Sequence, residues 1–363
     1  MKKQYLLAIV LLSTLLFVGC EKEEQEIKDE PIVEVGPYSN GVFITNEGGW
    51  GAGNSSVSFY STEGDSVINN IFNTVNELPL GDLGQSMTVA GENAYICVNG
   101  SSKIEVVTKG DFKSVATIEA EGVRYFVALD ENKGYASSWN DVVYVIDLNT
   151  NTIVKTITVG INPEQMVVAN NKLYVGHAGD FNVSENRMMV IDTDADEVIN
   201  TLEMAQLPSS MEVDANGALW VLSQGFIEYD ASYAIISQTP SQLVKMDPAT
   251  DEIVETLELW AEMHPQRIAV SPDAKTIYIG GGFTLPGFYK VDAENLALPT
   301  QTFIDKSFYG FLVNELTGNI FTCEATSFTG PGLLHRYSPA GELLGTYEVG
   351  VIPNGGAKSA RNN

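Results

Sequence analysis

The sequence predicts an all-β fold: a seven-bladed β-propeller of four-stranded antiparallel blades. Three observations carry the prediction. One phrase recurs along the chain, as "VIDLNTNTIVKTITVG" from Val145, "VIDTDADEVINTLEMA" from Val190 and "KMDPATDEIVETLELW" from Lys245. Each is an apolar run ending in Asp, a polar turn and a second alternating run, which is the signature of a hairpin. A second phrase precedes it, as "NPEQMVVANNKLYVG" from Asn162, "PSSMEVDANGALWVL" from Pro208 and "HPQRIAVSPDAKTIYIG" from His264. Together they give four strands per unit of roughly forty or more residues, the period of a propeller blade. Finally, the chain starts and stops in mid-unit. "GVFITNEGG" at Gly41 matches a second strand, and "VGVIPNGGA" at Val349 matches the entry to a first. The two ends are expected to share one blade and close the ring, which removes exposed sheet edges. An open solenoid is the alternative, but it gives no reason for a split unit.

The segments follow in chain order. Met1-Lys2-Lys3, the apolar run Leu6 to Val18 and then Gly19-Cys20 read as a secretory signal over residues 1–19. The run is short for a membrane span. Val18-Gly19-Cys20 resembles a bacterial lipobox with Cys20 as the lipidated residue, although Phe17 stands where Leu is usual; the alternative is an ordinary signal with a chance Cys. "EKEEQEIKDEP" then reads as a solvated acidic tether, placing lipidated Cys and tether at 20–38. An acidic run behind such a Cys resembles the surface-export signal of Bacteroidetes lipoproteins; a plain charged linker is the other reading. Residues 39–363 are expected to form a single propeller domain.

Within that body, further units open at Gly84 ("GQSMTVAGENAYICV"), Val123 ("VRYFVALDENKGYAS") and Phe308 ("FYGFLVNELTGNIFT"). Apolar residues make up 44% of the 363-residue chain, enough for a large core. The net charge is −27, and the first forty residues carry only four of the 20 basic and seven of the 47 acidic residues. The acidity therefore belongs to the body, and it argues against nucleic acid as a partner, since phosphates need Lys and Arg. Cys97 and Cys323 lie in strand-like apolar runs in different units, so buried free thiols are expected rather than a disulfide.

The repeat units resemble the YncE-like, or surface-layer, propeller family. The opening "FITNEGGWGAGNSSVSFY" (Phe43 to Tyr60) further resembles the DUF5074-type lipoprotein propellers of Bacteroidetes. That group contains surface propellers that capture cobalamin above a TonB-dependent outer-membrane transporter. The resemblance covers nearly the whole mature chain. It implies a lipid-anchored, outer-membrane, surface-exposed protein that captures a small molecule, with cobalamin (vitamin B12) the leading ligand, and hands it to such a transporter.

Asp192, Asp194, Asp196 and Glu203 have calcium-loop spacing, but Glu197 stands where the sharp turn needs Gly, and the repeat makes this segment a hairpin turn. The three histidines, His177, His264 and His335, fall in non-neighbouring units or within a strand, so no protein-bound metal is expected. Neither a phosphate loop nor a nucleophile elbow occurs, and no catalytic residue or cofactor is assigned. Asp141 and Asp147 belong to the repeat. An enzyme, a lyase or hydrolase, stays as the lesser alternative, beside a scaffold or adhesin for a protein or glycan.

The loops between second and third strands, and those between blades, should open on one end of the ring. They carry rigid aromatics and amides, which suit a large, mostly neutral, amphipathic ligand. The candidate contacts are Asn46, Trp50, Asn54, Asn99, Arg124, Tyr125, Trp139, Asn140, Gln165, His177, Gln224, Tyr229, Arg267, Phe283, Phe308, Tyr309, Glu324 and Phe328.

Overall fold

Seven antiparallel sheets close into a ring in a computed structural model that describes residues 36–359, position 283 excepted. The expected signal peptide, Cys20 and nearly all of the tether lie outside the described residues. From the axis outward, blade 2 runs Gly84–Ala90, Asn93–Val98, Lys103–Thr108 and Ser114–Glu119. Blade 3 (from Val123–Ala128), blade 4 (from Pro163–Ala169), blade 5 (from Pro208–Val213) and blade 7 (from Gly310–Val313) repeat the pattern. Each inner strand touches the inner strand of the next blade, and the circle closes between Pro353–Ser359 and Gly84–Ala90.

Blade 1 is the shared one. Its inner strand is the C-terminal Pro353–Ser359, and its other three, Gly41–Asn46, Ser56–Ser61 and Ser66–Ile68, come from the start of the body. Blade 6 departs from the pattern. Arg267–Val270, Thr276–Gly280 and Tyr289–Asp292 pair, but the outermost strand contracts to a single bridge between Phe288 and Ile304. Its sequence explains this: "AENLALPT" has no alternating pattern, and Pro299 cannot donate to a ladder.

Position in the blade sets composition. Second strands such as Asn93–Val98 and Leu219–Ser223 are buried on both faces and read as unbroken apolar runs. Outer strands such as Glu197–Glu203 and Glu252–Glu258 face solvent and mix glutamates with exposed β-branched residues. The core is divided into seven apolar wedges, one between each neighbouring pair of blades. Across the blade 2–3 wedge Tyr95 stacks on Phe126 with centroids 4.2 Å apart, and Cys97 lies there as a buried free thiol, as Cys323 does between blades 7 and 1.

Polar clasps tie neighbouring blades at their outer ends. Lys133 and Tyr135 of blade 3 bind Asp196 in the last turn of blade 4, at 2.6 and 2.7 Å. One blade on, Lys172 and Tyr174 bind Asp251 at 2.8 and 2.6 Å. The clasp takes one carboxylate of the calcium-like spacing, and Asp192 takes another by capping its own turn through the N–H groups of Asp194 and Ala195. That segment is a hairpin turn.

Candidate functional site

The inner strands enter the ring in a common way. In "GQSM" (84–87), "VRYF" (123–126), "PEQM" (163–166), "PSSM" (208–211) and "PNGG" (353–356) the ladder slips within the first residues of the strand. Such a bulge leaves residues unpaired and re-aims their side chains. Here they turn into the axis. Gln85, Arg124, Tyr125, Glu164, Gln165 and Ser209, with Gln266, Arg267 and Tyr309 from blades 6 and 7, line a funnel of about 580 Å³. The loops between second and third strands add its rim, including Trp50, Asn99, Trp139, Gln224 and Phe328. A deeper chamber of about 270 Å³ shares Gln85, Tyr125, Gln165 and Arg267 with the funnel and continues past Met87, Met166 and Met211. Those four shared side chains form the constriction between the two.

Two ionic groupings stand in the wall. Arg124 donates through Nε to Glu164 Oε1 at 2.8 Å, and its Nη1 donates to Gln85 Oε1 at 2.6 Å. The same Glu164 oxygen accepts from Trp139 Nε1 at 2.8 Å, while the Arg124 guanidinium lies over the Trp139 ring. Arg124 is thus neutralised and stacked. Opposite, Glu47 accepts from Asn354 Nδ2 at 2.8 Å and from the Tyr309 hydroxyl at 3.1 Å. Burial pushes the Glu47 carboxyl up, against those two hydrogen bonds and the positive charges of Arg267 and Arg124. Burial likewise raises the phenols of Tyr309 and Tyr125.

The rim is apolar and exposed. Trp50 is 87% exposed and Phe328 55%. The Trp50 loop is held in shape by Asp82, whose carboxylate accepts from the N–H groups of Gly51 and Gly53 at 2.9 and 3.3 Å. The arrangement offers indole and phenyl faces at the mouth, and amides with the internally paired Arg124 and Glu164 on the wall, the features of a non-covalent ligand site.

Of the residues expected from sequence, the funnel brings together Trp50, Asn99, Arg124, Tyr125, Trp139, Gln165, Gln224, Arg267, Tyr309 and Phe328. The others stand elsewhere. Asn46 is buried in blade 1, with its amide on Ser56 and Ser58, and Asn54 accepts the N–H of Gly49 within its own loop. Asn140 is exposed outside the lining, and Tyr229 stacks on Phe181 in a hairpin projecting from blade 5. His177 is fully buried: Nδ1 bonds the Arg187 carbonyl and Nε2 accepts the Gly160 N–H. Phe308 packs in the blade 6–7 wedge. Glu324 is taken by Lys306 and His335. Phe283 lies outside the described residues. Sequence reasoning missed Glu47, Gln85, Glu164, Ser209 and Gln266. The signal was present: Gln85, Glu164, Ser209 and Gln266 hold the place in their repeats that Arg124 holds in "VRYF". Among the described residues, no group of three or more His, Cys, Asp or Glu is placed to hold a metal ion.

Solved structures with the same fold include hydrazine synthase of Kuenenia stuttgartiensis, at 14% identity and a TM-score of 0.61 over 76% of this chain and 89% of that one. Another is a quinonprotein alcohol dehydrogenase-like protein of Bacteroides thetaiotaomicron VPI-5482, at 14% identity and a TM-score of 0.64 over 86% of this chain and 76% of that one. At such identity the likeness concerns the fold alone. No curated protein matches the sequence. The profile of the family described as "Domain of unknown function (DUF5074)" matches residues 40–350, so this propeller belongs to the DUF5074 family.

Proposed function

We propose that the protein is a non-enzymatic capture protein that holds a small, amide-rich ligand in the axial funnel, with cobalamin the leading candidate. The observation that supports this most is the pairing of an exposed aromatic rim, Trp50 and Phe328, with a wall whose arginine Arg124 is neutralised from within. Aromatic faces take up the apolar body of a ligand, and Gln165, Gln224 and Asn99 offer hydrogen bonds to amide groups. A corrin ring rimmed with amides has that chemistry. Such a ligand needs no resident cofactor and no covalent step. The lipobox-like Cys20 and the acidic run behind it support an outer-membrane, surface-exposed anchor; the resemblance to the cobalamin-capture propellers supports a TonB-dependent transporter as the receiver of the ligand.

The test is calorimetric titration of the detergent-solubilised full chain with cyanocobalamin. Binding should weaken about tenfold in each of W50A and F328A, the loss of one stacked aromatic. Absence of heat, and of red colour migrating with the protein, overturns the cobalamin reading.

A second reading is a scaffold that holds a protein on the same face. It is favoured by Phe181, Tyr233, Ile235 and Ile236, which stand exposed on the loops of blades 4 and 5 outside the funnel. Ligand-independent capture of a partner that is lost in Y233A/I236A would select it.

A further inference from the structure

The two arginines of the funnel are not equivalent. Arg124 meets Glu164, Gln85 and the Trp139 ring, so its donors and its charge are taken. Arg267, at the constriction, makes one hydrogen bond, from Nη2 to the Tyr125 hydroxyl across the axis at 3.4 Å. That is long for N–H···O, and a guanidinium carries five N–H donors. Among the described residues no carboxylate pairs with Arg267 within 4.0 Å. Glu47, the nearest acid by its influence on Arg267, is already engaged by Asn354 and Tyr309.

The fold has made room for this cation. In the repeat register, blades 7 and 1 carry Gly310 and Gly355 where blade 6 carries Arg267. A Cβ on Gly355 would lie 2.8 Å from Arg267 Nη1, and the backbone there has a φ of 141°. The guanidinium therefore occupies space that only glycine leaves open, and it faces both the funnel and the chamber beneath it. Burial works against its charge, the Glu47 carboxylate opposes that, and the guanidinium stays ionised, as arginine does throughout the working pH range. A cation kept charged in a concave site with its donors unspent is built for an anion.

We infer that Arg267 is an oxyanion-reading residue: the ligand of the funnel carries a phosphate or carboxylate group, which seats on the Arg267 guanidinium beside the Tyr125 hydroxyl. This rests on reading the funnel as a small-molecule site, but not on which molecule fills it. It also orients the ligand, with the anionic group down at the constriction and the apolar body up against Trp50 and Phe328.

The experiment uses inorganic phosphate and acetate as probes on the full chain, apart from any cobalamin titration. The arginine side-chain Nε–H resonances are followed by NMR at constant ionic strength, with R267K identifying the Arg267 signal. One of the two anions should shift that signal saturably and leave the Arg124 signal near its place; which anion does so separates a phosphate from a carboxylate ligand. R267Q should lose about tenfold or more of the affinity for that anion, and K113Q, an exposed lysine of blade 2, should keep it. An unmoved Arg267 signal with both anions overturns the inference, as does undiminished binding in a folded R267Q. If R267Q does not fold, the wild-type titration decides alone. Failure of cobalamin with binding of the anion, or the reverse, separates the two readings.

Discussion

The guanidinium of Arg124 lies 3.8 Å from the centroid of the Trp139 ring, and both side chains close on the same oxygen of Glu164. Three residues from two strands and a loop thus act as one body. Arg124 and Glu164 are each at least mostly buried, so removing one partner strands the other. E164A should destabilise the fold by about 3 kcal/mol in chemical denaturation. W139A should cost only about 1 kcal/mol, the scale of a partly exposed cation–π contact. Additive losses in E164A/W139A would mean that the cluster is not coupled in this way.

The clasps make a separate prediction. Tyr174 bonds Asp251 and the Pro248 carbonyl, and Lys172 binds the same carboxylate. Y174F leaves a buried acceptor short of a partner and should lower stability by about 1–2 kcal/mol. Because Asp251 lies beyond the ligand site, binding to the funnel should not change. Denaturation of the variant with and without ligand checks both halves.

Acid should weaken the protein through its histidines. Burial lowers His177 from 6.5 to about 4, against the bond to the Arg187 carbonyl, and burial lowers His264 and His335 as well. The unfolded chain therefore takes up protons before the folded one does. The stability His177 contributes is complete above about pH 6.5 and is lost as the pH falls towards 4. Its share is on the order of 3 kcal/mol. Melting temperatures of wild type and H177Q across that window should converge as the pH drops.

Cys97 and Cys323 should be inert while the ring is closed. Burial pushes both thiols up to about 12, so neither has appreciable thiolate at neutral pH. In a C20S chain, labelling with a disulfide reagent should show no reaction in buffer and full reaction in denaturant. Labelling in buffer at the rate of a free thiol would mean that the blade 2–3 or blade 7–1 wedge opens.

How much of this was legible in the sequence depends on what each residue answers to. The blades were legible because strand burial writes itself as repeated apolar runs, and the shared blade because "GVFITN" and "PNGGA" each match half of a unit. The contraction of blade 6 was not, since an outermost strand is held by so little that Pro299 and a broken pattern suffice to remove it. In the site, Arg124, Gln165 and Arg267 were found as conspicuous residues in the loops between blades. Gln85 and Glu164 were passed over although they hold the place of Arg124 in their repeats, because the bulge that turns this place into the axis shows only in the ladder. His177 was misplaced for a related reason: a histidine ending a strand looks like a loop residue, and its direction depends on the Gly160 and Arg187 backbone, far from it in the repeat.

The closure of blade 1 has a mechanical consequence. Gly41–Asn46 is the first strand of the body and is flanked by Ser56–Ser61 on one side and Pro353–Ser359 on the other. A pull on the preceding chain, directed along this strand, loads two ladders lengthwise, so their hydrogen bonds resist together instead of peeling one by one. A load applied through the N-terminal side would thus act where the ring is fastened, and rupture there would free both ends of the circle at once.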